Sequence, residues 1–140
     1  MKFDKYIGIP YKHLGKDFSG VDCFGLIYLI FKEELGIELP DFTKLGYSKG
    51  LEDSKDKDVL INVIDKFDGI IFEKVDKPYR IFDVPIFYGI GCMKDIASHI
   101  GVFIDTNHFI HIKENTTSIV NKLDSHYKSK IHGVLRLRDR

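Results

Sequence analysis

The stretch Gly20-Val21-Asp22-Cys23-Phe24-Gly25 decides how this chain begins to fold, because it joins a polar loop to an apolar helix. Asp22 is a residue type that caps helix N-termini, and an apolar run follows over residues 25–31. Apolar residues continue at helical spacing; they are Leu26, Ile27, Ile30, Phe31 and Leu35. Gly36 and Pro40 end the pattern. The sequence therefore predicts a buried helix whose first turn carries the Cys23 thiol.

The position of Cys23 gives its thiol a chemical role. N–H groups and the positive end of the helix dipole in a first turn favour thiolate over thiol. Since the thiolate is the nucleophilic form, Cys23 is a candidate catalytic nucleophile; the alternative is a cysteine that only packs. Gly25 favours the catalytic role of Cys23 over simple packing. A glycine inside a helix costs about 1 kcal/mol relative to alanine, so its presence needs a reason. That cost is explained if another chain segment or a substrate approaches this turn closely.

Two histidines lie in segments that predict neighbouring strands. His99 belongs to residues 97–104 and His111 to residues 109–113, both rich in β-branched and aromatic residues. Across a hairpin, opposed Cβ atoms are about 5 Å apart and diagonal ones about 7 to 8 Å, so one imidazole can hydrogen-bond the other. The prediction is a Cys–His–His row in which His99 takes the Cys23 proton and His111 orients His99. A core or surface role for His99 is the plain alternative.

The same side chains could bind zinc, with His108 supplying a further imidazole. Residues 108 and 111 are three apart on a predicted strand, however, and would face opposite sides. Neither Cys-x-x-Cys nor His-Glu-x-x-His occurs in the sequence, and there is no glycine-rich phosphate loop. We therefore expect no metal site and no cofactor.

Composition limits the classes of protein further. The 140 residues, 44% of them hydrophobic, are predicted to form one domain over residues 1–140, and 21 basic residues balance 21 acidic ones. A chain without an excess of basic residues is not expected to bind nucleic acid. The N-terminal residues lack the apolar core of a signal peptide, and no apolar run approaches the roughly 20 residues of a membrane span. The expectation is a protein made in the cytoplasm, in which a Cys23–Cys92 disulfide is disfavoured.

The order of predicted elements indicates the fold class. Residues 4–20 are predicted to be loop, and a second, shorter helix is expected over residues 59–67. Short strands follow, predicted at residues 70–75, 81–88, 98–104, 109–113, 117–120 and 131–138. One helical turn is expected within residues 121–130. Helices first, then strands with short connections, predict an α+β domain with helices packed on an antiparallel sheet.

These residues together resemble the NlpC family of cell-wall cysteine peptidases (NlpC/p-sixty), a papain-like superfamily. The stretches that carry the resemblance are residues 8–11, 20–26, 97–104 and 109–111. The resemblance implies a papain-like α+β fold in which an N-terminal, nucleophile-bearing helix packs on a central antiparallel sheet. It also implies hydrolysis of peptide bonds in the stem peptides of bacterial peptidoglycan.

The resemblance implies three catalytic residues and three residues of the oxyanion and substrate-binding region. The catalytic residues are Cys23 as nucleophile, His99 as general base and His111 as the polar third member. The others are Tyr11, Asp22 and Ser98. Tyr11 is expected to help the backbone N–H of Cys23 to hold the oxyanion.

Phe24 departs from most family members, which carry serine directly after the cysteine. With residues 33–40, this position is most similar to the phage-tail branch of the family, the tail-tip assembly proteins K of lambda-like phages. That branch implies a tail-associated protein that acts in the host cell wall beside other tail-tip proteins. The alternatives are a catalytically silent tail-assembly protein, or an amidase or acyltransferase on the same fold.

Overall fold

The computed structural model describes residues 3–39, 72–88 and 97–138. Three sequence features lie outside the described residues: the second helix predicted over residues 59–67, the helix stop at Pro40, and Cys92 with its disulfide question. In the described ranges, no helix is long and apolar enough to cross a bilayer.

The N-terminal segment contains three short elements where only loop is predicted. A 3₁₀ turn covers Asp4–Tyr6, and two antiparallel strands, β1 (Lys16–Asp17) and β2 (Gly20–Val21), pair with each other. The loop prediction is wrong at these elements, because two or three residues are too few to produce a periodic pattern. The short β1–β2 ribbon leads directly into the first helix.

The predicted N-terminal helix is confirmed. Helix α1 covers Cys23–Ile30 and continues as a π-helical segment, Phe31–Leu35. Every side chain of α1 is buried, as expected for a helix whose flanks are apolar as well as its face. The helix ends at Gly36, which has a left-handed φ of 66° and whose N–H bonds to the carbonyl oxygen of Lys32.

The second half of the described chain forms antiparallel sheets, which confirms the α+β class. The strands are β3 (Phe72–Lys74), β4 (Val84–Tyr88), β5 (Ala97–Ile100), β6 (Val102–Phe103), β7 (His108–His111), β8 (Ile119–Lys122) and β9 (Ile131–Leu137). They form one sheet in the order β3-β9-β4-β5 and another in the order β6-β7-β8. The expected helical turn is α2, Ser125–Lys128.

Gly101 divides the single strand predicted over residues 98–104 into β5 and β6, which belong to different sheets. A Cβ atom at Gly101 would lie 2.9 Å from the carbonyl oxygen of Ile110 and 3.3 Å from the Cβ atom of His111. The N–H of Gly101 bonds to the carbonyl oxygen of Pro85, so the two sheets stay connected. The missing side chain lets β7 pass close to the strand that carries His99.

The core has two parts. The larger part surrounds α1 and includes Ile100, Val102, Ile110 and Ile112. The smaller part, which we call the aromatic cluster, contains Tyr79, Phe87, Phe103, Phe109 and, partly buried, Tyr127 of α2. Side chains alternate between the two parts along residues 100–103, since Ile100 and Val102 belong to the part around α1 whereas Phe103 packs in the aromatic cluster.

Candidate active site

Asp22 fixes the beginning of α1. The residue is buried, with 3% of its surface exposed. Oδ1 accepts the N–H of Gly25 at 2.7 Å, and Oδ2 accepts the N–H of Leu14 at 3.0 Å. The predicted N-cap is therefore confirmed. Both carboxylate oxygens bind backbone groups of this chain, so Asp22 positions the turn that carries Cys23; its part in substrate binding stays a prediction.

Another segment of the chain approaches Gly25 so closely that a side chain at this position would not fit. A Cβ atom at Gly25 would lie 1.7 Å from the carbonyl oxygen of Gly15 and 3.1 Å from the Cα atom of Lys16. The close approach predicted from the helical glycine is thus present, and the approaching group is the backbone before and within β1. This contact holds the first turn of α1, and with it Cys23, against the N-terminal ribbon.

Replacing Gly25 with alanine is expected to lower the free energy of unfolding by more than about 2 kcal/mol. Removing a helical glycine usually stabilises a helix by about 1 kcal/mol, but here the new methyl group must displace the Gly15 backbone. Urea unfolding followed by circular dichroism measures the difference. Gly36→Ala is the control, because nothing lies within 4 Å of its added Cβ and only the left-handed φ costs energy. A Gly25→Ala protein more stable than Gly36→Ala would contradict the close contact.

Tyr11 lies beside the segment that leads to Cys23. It forms a parallel bridge with Val21, two residues before the cysteine, and its N–H bonds to the carbonyl oxygen of Thr116 at 3.0 Å. The side chain is half-buried and packs against the core around α1. Ser98 lies on β5 directly before His99. The predicted roles of Tyr11 and Ser98 in binding the oxyanion and substrate stay predictions.

His99 and His111 are hydrogen-bonded to each other. The Nε2 atom of His99 on β5 lies 2.8 Å from the Nδ1 atom of His111 on β7. His99 is 4% exposed and His111 is fully buried. The hydrogen bond that the sequence predicts between the two imidazoles is therefore present, although the two strands belong to different sheets.

Asn121 extends this pair, and the sequence reasoning missed it. Its Oδ1 atom lies 2.6 Å from the Nε2 atom of His111. Strand β8 pairs with β7 so that Asn121 is opposite Phe109 and therefore diagonal to His111. The register of β8 was the missing information, because the sequence places the strand only at residues 117–120 and assigns residue 121 to the following polar segment.

Aromatic rings surround the two imidazoles. The ring centroids of Phe87 and His99 are 6.0 Å apart, and those of Phe109 and His111 are 4.7 Å apart. Tyr127 of α2 meets His111 edge-on at 5.7 Å. These rings keep water away, and hydrogen bonds are stronger in such a low-dielectric environment.

Both imidazoles are neutral at pH 7. Burial holds the pKa of His99 well below its usual range, and repulsion from Lys113, and from His111 when that ring is protonated, acts in the same direction. Burial lowers the pKa of His111 to about 4, although the hydrogen bond to Asn121 opposes this shift. A neutral imidazole keeps one ring nitrogen with a lone pair, which is the form that a general base requires.

The helix that begins at Cys23 packs against β5, the strand that carries His99. The Cys23 thiol is buried, with 8% of the residue exposed. Because His111 occupies the Nε2 atom of His99, the Nδ1 atom is the ring nitrogen left to act on the thiol. Helix α1 and the strand that carries His99 are therefore neighbours. The pairing of the Cys23 thiol with the His99 imidazole, which nucleophilic catalysis needs, stays a prediction.

His108 takes no part in this pair. Its Nδ1 atom lies 3.0 Å from Oδ1 of Asp105 in the turn before β7, whereas His111 bonds to His99. The two histidines therefore face different partners, as the three-residue spacing predicts. Within residues 3–39, 72–88 and 97–138, no three His, Cys, Asp or Glu side chains are arranged to hold a metal ion.

Acidification is expected to destabilise the protein because His111 is buried as a neutral ring. The pKa of His111 is about 4 in the folded chain, against 6.5 for an ordinary histidine. Below pH 6.5 the unfolded chain therefore binds more protons, and stability that is complete above pH 6.5 is lost as the pH falls towards 4. His111 alone accounts for about 2 kcal/mol between pH 7 and pH 5. His99 acts in the same direction.

Urea unfolding at a series of pH values measures this loss. The His111→Gln protein should show a flatter pH dependence than wild type. His126→Gln, at an exposed position of α2, is the control and should keep the wild-type dependence. An equal slope for His111→Gln and wild type would show that His111 is not the group responsible.

Comparison with known proteins identifies the family. The model of the NlpC/P60 family matches residues 8–79, which is more than half of the chain and includes Cys23. The chain belongs to the NlpC/P60 family. The match ends before His99, so the assignment of the two histidines in this NlpC/P60 chain rests on the geometry of the strands rather than on the family model.

Two curated relatives align with nearly the whole NlpC/P60 chain. A gamma-DL-glutamyl hydrolase of Bacillus subtilis is 29% identical over 95% of this chain and 27% of its own length. An Escherichia coli protein, murein DD-endopeptidase MepS/murein LD-carboxypeptidase, is 22% identical over 92% of this chain and 55% of its own length. The chain thus spans about a quarter of the first relative and about half of the second.

A solved structure shows the same fold. A Staphylococcus aureus protein of the NLP/P60 family, described as similar to lipoprotein, superposes with a TM-score of 0.64 at 19% identity. The superposition covers 97% of this chain and 39% of that one. The predicted papain-like α+β fold, with the cysteine-bearing helix packed on an antiparallel sheet, is confirmed.

Proposed function

We propose that this chain is a cysteine peptidase that hydrolyses amide bonds in the stem peptides of bacterial peptidoglycan. The observation that carries the proposal is the buried hydrogen bond between His99 and His111, with His99 on the strand that packs against the helix that begins at Cys23. The Escherichia coli relative, a murein endopeptidase by name, supports peptidoglycan as the substrate class.

In the proposed first step, the Nδ1 atom of His99 takes the thiol proton of Cys23. The sulfur attacks the carbonyl carbon of the scissile amide and forms a tetrahedral oxyanion. Groups at the N-terminus of α1, with the backbone N–H of Cys23 and the side chain of Tyr11, stabilise this charge. Loss of one such donor typically costs about 3 kcal/mol. The oxyanion then collapses, and the imidazolium of His99 donates its proton to the leaving amine.

The second step releases the acyl group. Neutral His99 takes a proton from water, and the hydroxide attacks the thioester carbonyl carbon. The carbon–sulfur bond breaks, the product leaves as a carboxylic acid, and the thiolate recovers its proton from His99. His111 keeps its hydrogen bond to Nε2 of His99 throughout, so the ring stays oriented while its charge changes.

Digestion of purified peptidoglycan tests the proposal. Sacculi of several chemotypes are incubated with the protein, and soluble fragments are analysed by mass spectrometry for new amino and carboxyl termini. Cleavage within the stem peptide or its cross-link is the expected result. Cleavage only at the bond between sugar and peptide would assign an amidase instead. No new termini from any chemotype would contradict the peptidase and favour the catalytically silent alternative.

We further propose that the chain is associated with a phage or prophage tail and acts in the host wall beside other tail-tip proteins. The support is the sequence similarity at Phe24 and residues 33–40. Phe24 is fully buried in the core, so the substitution at this position affects packing behind Cys23. Mass spectrometry of purified induced particles should detect the chain in intact tails. Its absence from particles that carry complete tails would contradict this location.

A further inference from the structure

The hydrogen bond between His111 and Asn121 determines which nitrogen of the His111 ring carries the proton. An amide oxygen can only accept, so the Nε2 atom of His111 carries the proton that points to Oδ1 of Asn121 at 2.6 Å. A neutral imidazole has one ring proton. The Nδ1 atom of His111 is then unprotonated, and it can only accept from its other partner.

The same reasoning determines which nitrogen of the His99 ring carries the proton. The Nδ1 atom of His111 accepts, so the Nε2 atom of His99, 2.8 Å away, must donate. His99 is also a neutral ring with one proton, and that proton is now on Nε2. Its Nδ1 atom is left with a lone pair, which is the form that a base requires.

We propose that Asn121 is a positioning residue that fixes the ring protons of His111 and His99, so that Nδ1 of His99 is the unprotonated atom. The amide acts on His99 through two hydrogen bonds in series, from Asn121 to His111 and from His111 to His99. Its catalytic consequence rests on the proposed function, because it concerns the base that activates Cys23. The ring-proton pattern itself does not rest on that function.

The backbone explains why the amide can do this. Asn121 pairs with Phe109 in the β7–β8 ladder, which holds its Cα atom at a fixed register diagonal to His111. The aromatic cluster packs around the rings, with Phe109 and Tyr127 both against His111. If the amide nitrogen instead faced His111, every proton would move to the other nitrogen, and Nδ1 of His99 would be protonated.

Nuclear magnetic resonance of protein labelled with ¹⁵N in its histidine rings tests the proposal at pH 7. Two-bond proton–nitrogen correlations distinguish protonated from unprotonated ring nitrogens, and His→Gln variants assign the signals. The expected pattern has Nε2 protonated and Nδ1 unprotonated in both rings. A protonated Nδ1 in His99 would overturn the proposal. The measurement needs no peptidoglycan, so it gives a result even if the peptidase proposal fails.

Two variants separate the directional role from simple packing. Asn121→Leu removes the acceptor. The His99 ring should then be protonated partly on Nδ1 and partly on Nε2, and kcat should fall by about tenfold or more. Asn121→Asp keeps an acceptor oxygen at this position and has no donor, so it should recover the wild-type pattern and most of the activity. Lys122→Leu, at the adjacent exposed position of β8, is the control and should change neither.

Each result then has one meaning. An unchanged ring pattern in Asn121→Leu would overturn the role of the amide, whatever happens to the rate. A changed pattern with an unchanged rate would overturn its catalytic consequence. If Asn121→Leu does not fold, the wild-type spectrum and the Asn121→Asp spectrum still decide, because both must show Nδ1 of His99 unprotonated.

Discussion

Replacing Cys23 with alanine is expected to reduce cleavage of peptidoglycan by at least about 10⁴-fold. The loss is this large because the proposed acyl intermediate forms on the Cys23 sulfur, and removal of a nucleophile from a triad leaves only the contribution of binding and oxyanion stabilisation. Cys23 is almost completely buried at the start of α1, and alanine keeps its Cβ atom there. The fold should therefore survive, which a thermal melt confirms. Release of soluble fragments from labelled sacculi measures the rate.

Cys92→Ala is the matched control, because it removes the second cysteine of the chain without touching the proposed nucleophile. It should retain wild-type activity. If Cys23→Ala still cleaves at the wild-type rate, the thiol is not the nucleophile. If wild type and Cys23→Ala are equally inactive on every wall chemotype, the tail-assembly alternative gains support.

Replacing His99 with glutamine is expected to lower kcat/KM by roughly 10³-fold, within the range of about 10² to 10⁴ that general acid–base catalysis contributes. Glutamine has no atom that can take and return the thiol proton. The same change should slow alkylation of Cys23 by iodoacetamide at pH 7, because less thiolate forms. A Cys92→Ser background confines the alkylation signal to Cys23.

The control for His99→Gln is His126→Gln, at an exposed position of α2. It should leave both the cleavage rate and the alkylation rate unchanged. Equal alkylation rates for His99→Gln and wild type, combined with lost cleavage, would mean that His99 acts only on the leaving amine. Equal cleavage rates would remove His99 from the mechanism altogether.

The start of α1 shows how far sequence reasoning reaches. Asp22 as the cap, Cys23 in the first turn and Gly36 as the end are predicted from the sequence and present in the structure. The need for a close approach at Gly25 is predicted too, although only the structure names the Gly15 carbonyl group as the neighbour. The cap and the helix end depend on interactions within a few residues of chain, which the sequence displays directly.

The strands show where that reasoning ends. The hydrogen bond between His99 and His111 is predicted from two β segments joined by a hairpin. The division of the first segment at Gly101 is not, because it depends on how closely the Ile110 carbonyl group approaches from β7. The short β1–β2 ribbon escapes prediction as well, since its strands have two residues each.

The sequence by itself determined the capped helix, the position of Cys23 at its start and the hydrogen bond between the two imidazoles. Only the tertiary structure decided that Asn121 completes the row and that both rings are buried as neutral groups. The physical reason is the range of the interactions. A helix cap is set by neighbours along the chain, whereas a diagonal contact between β7 and β8 is set by cross-strand register, and a ring's pKa by everything packed around it.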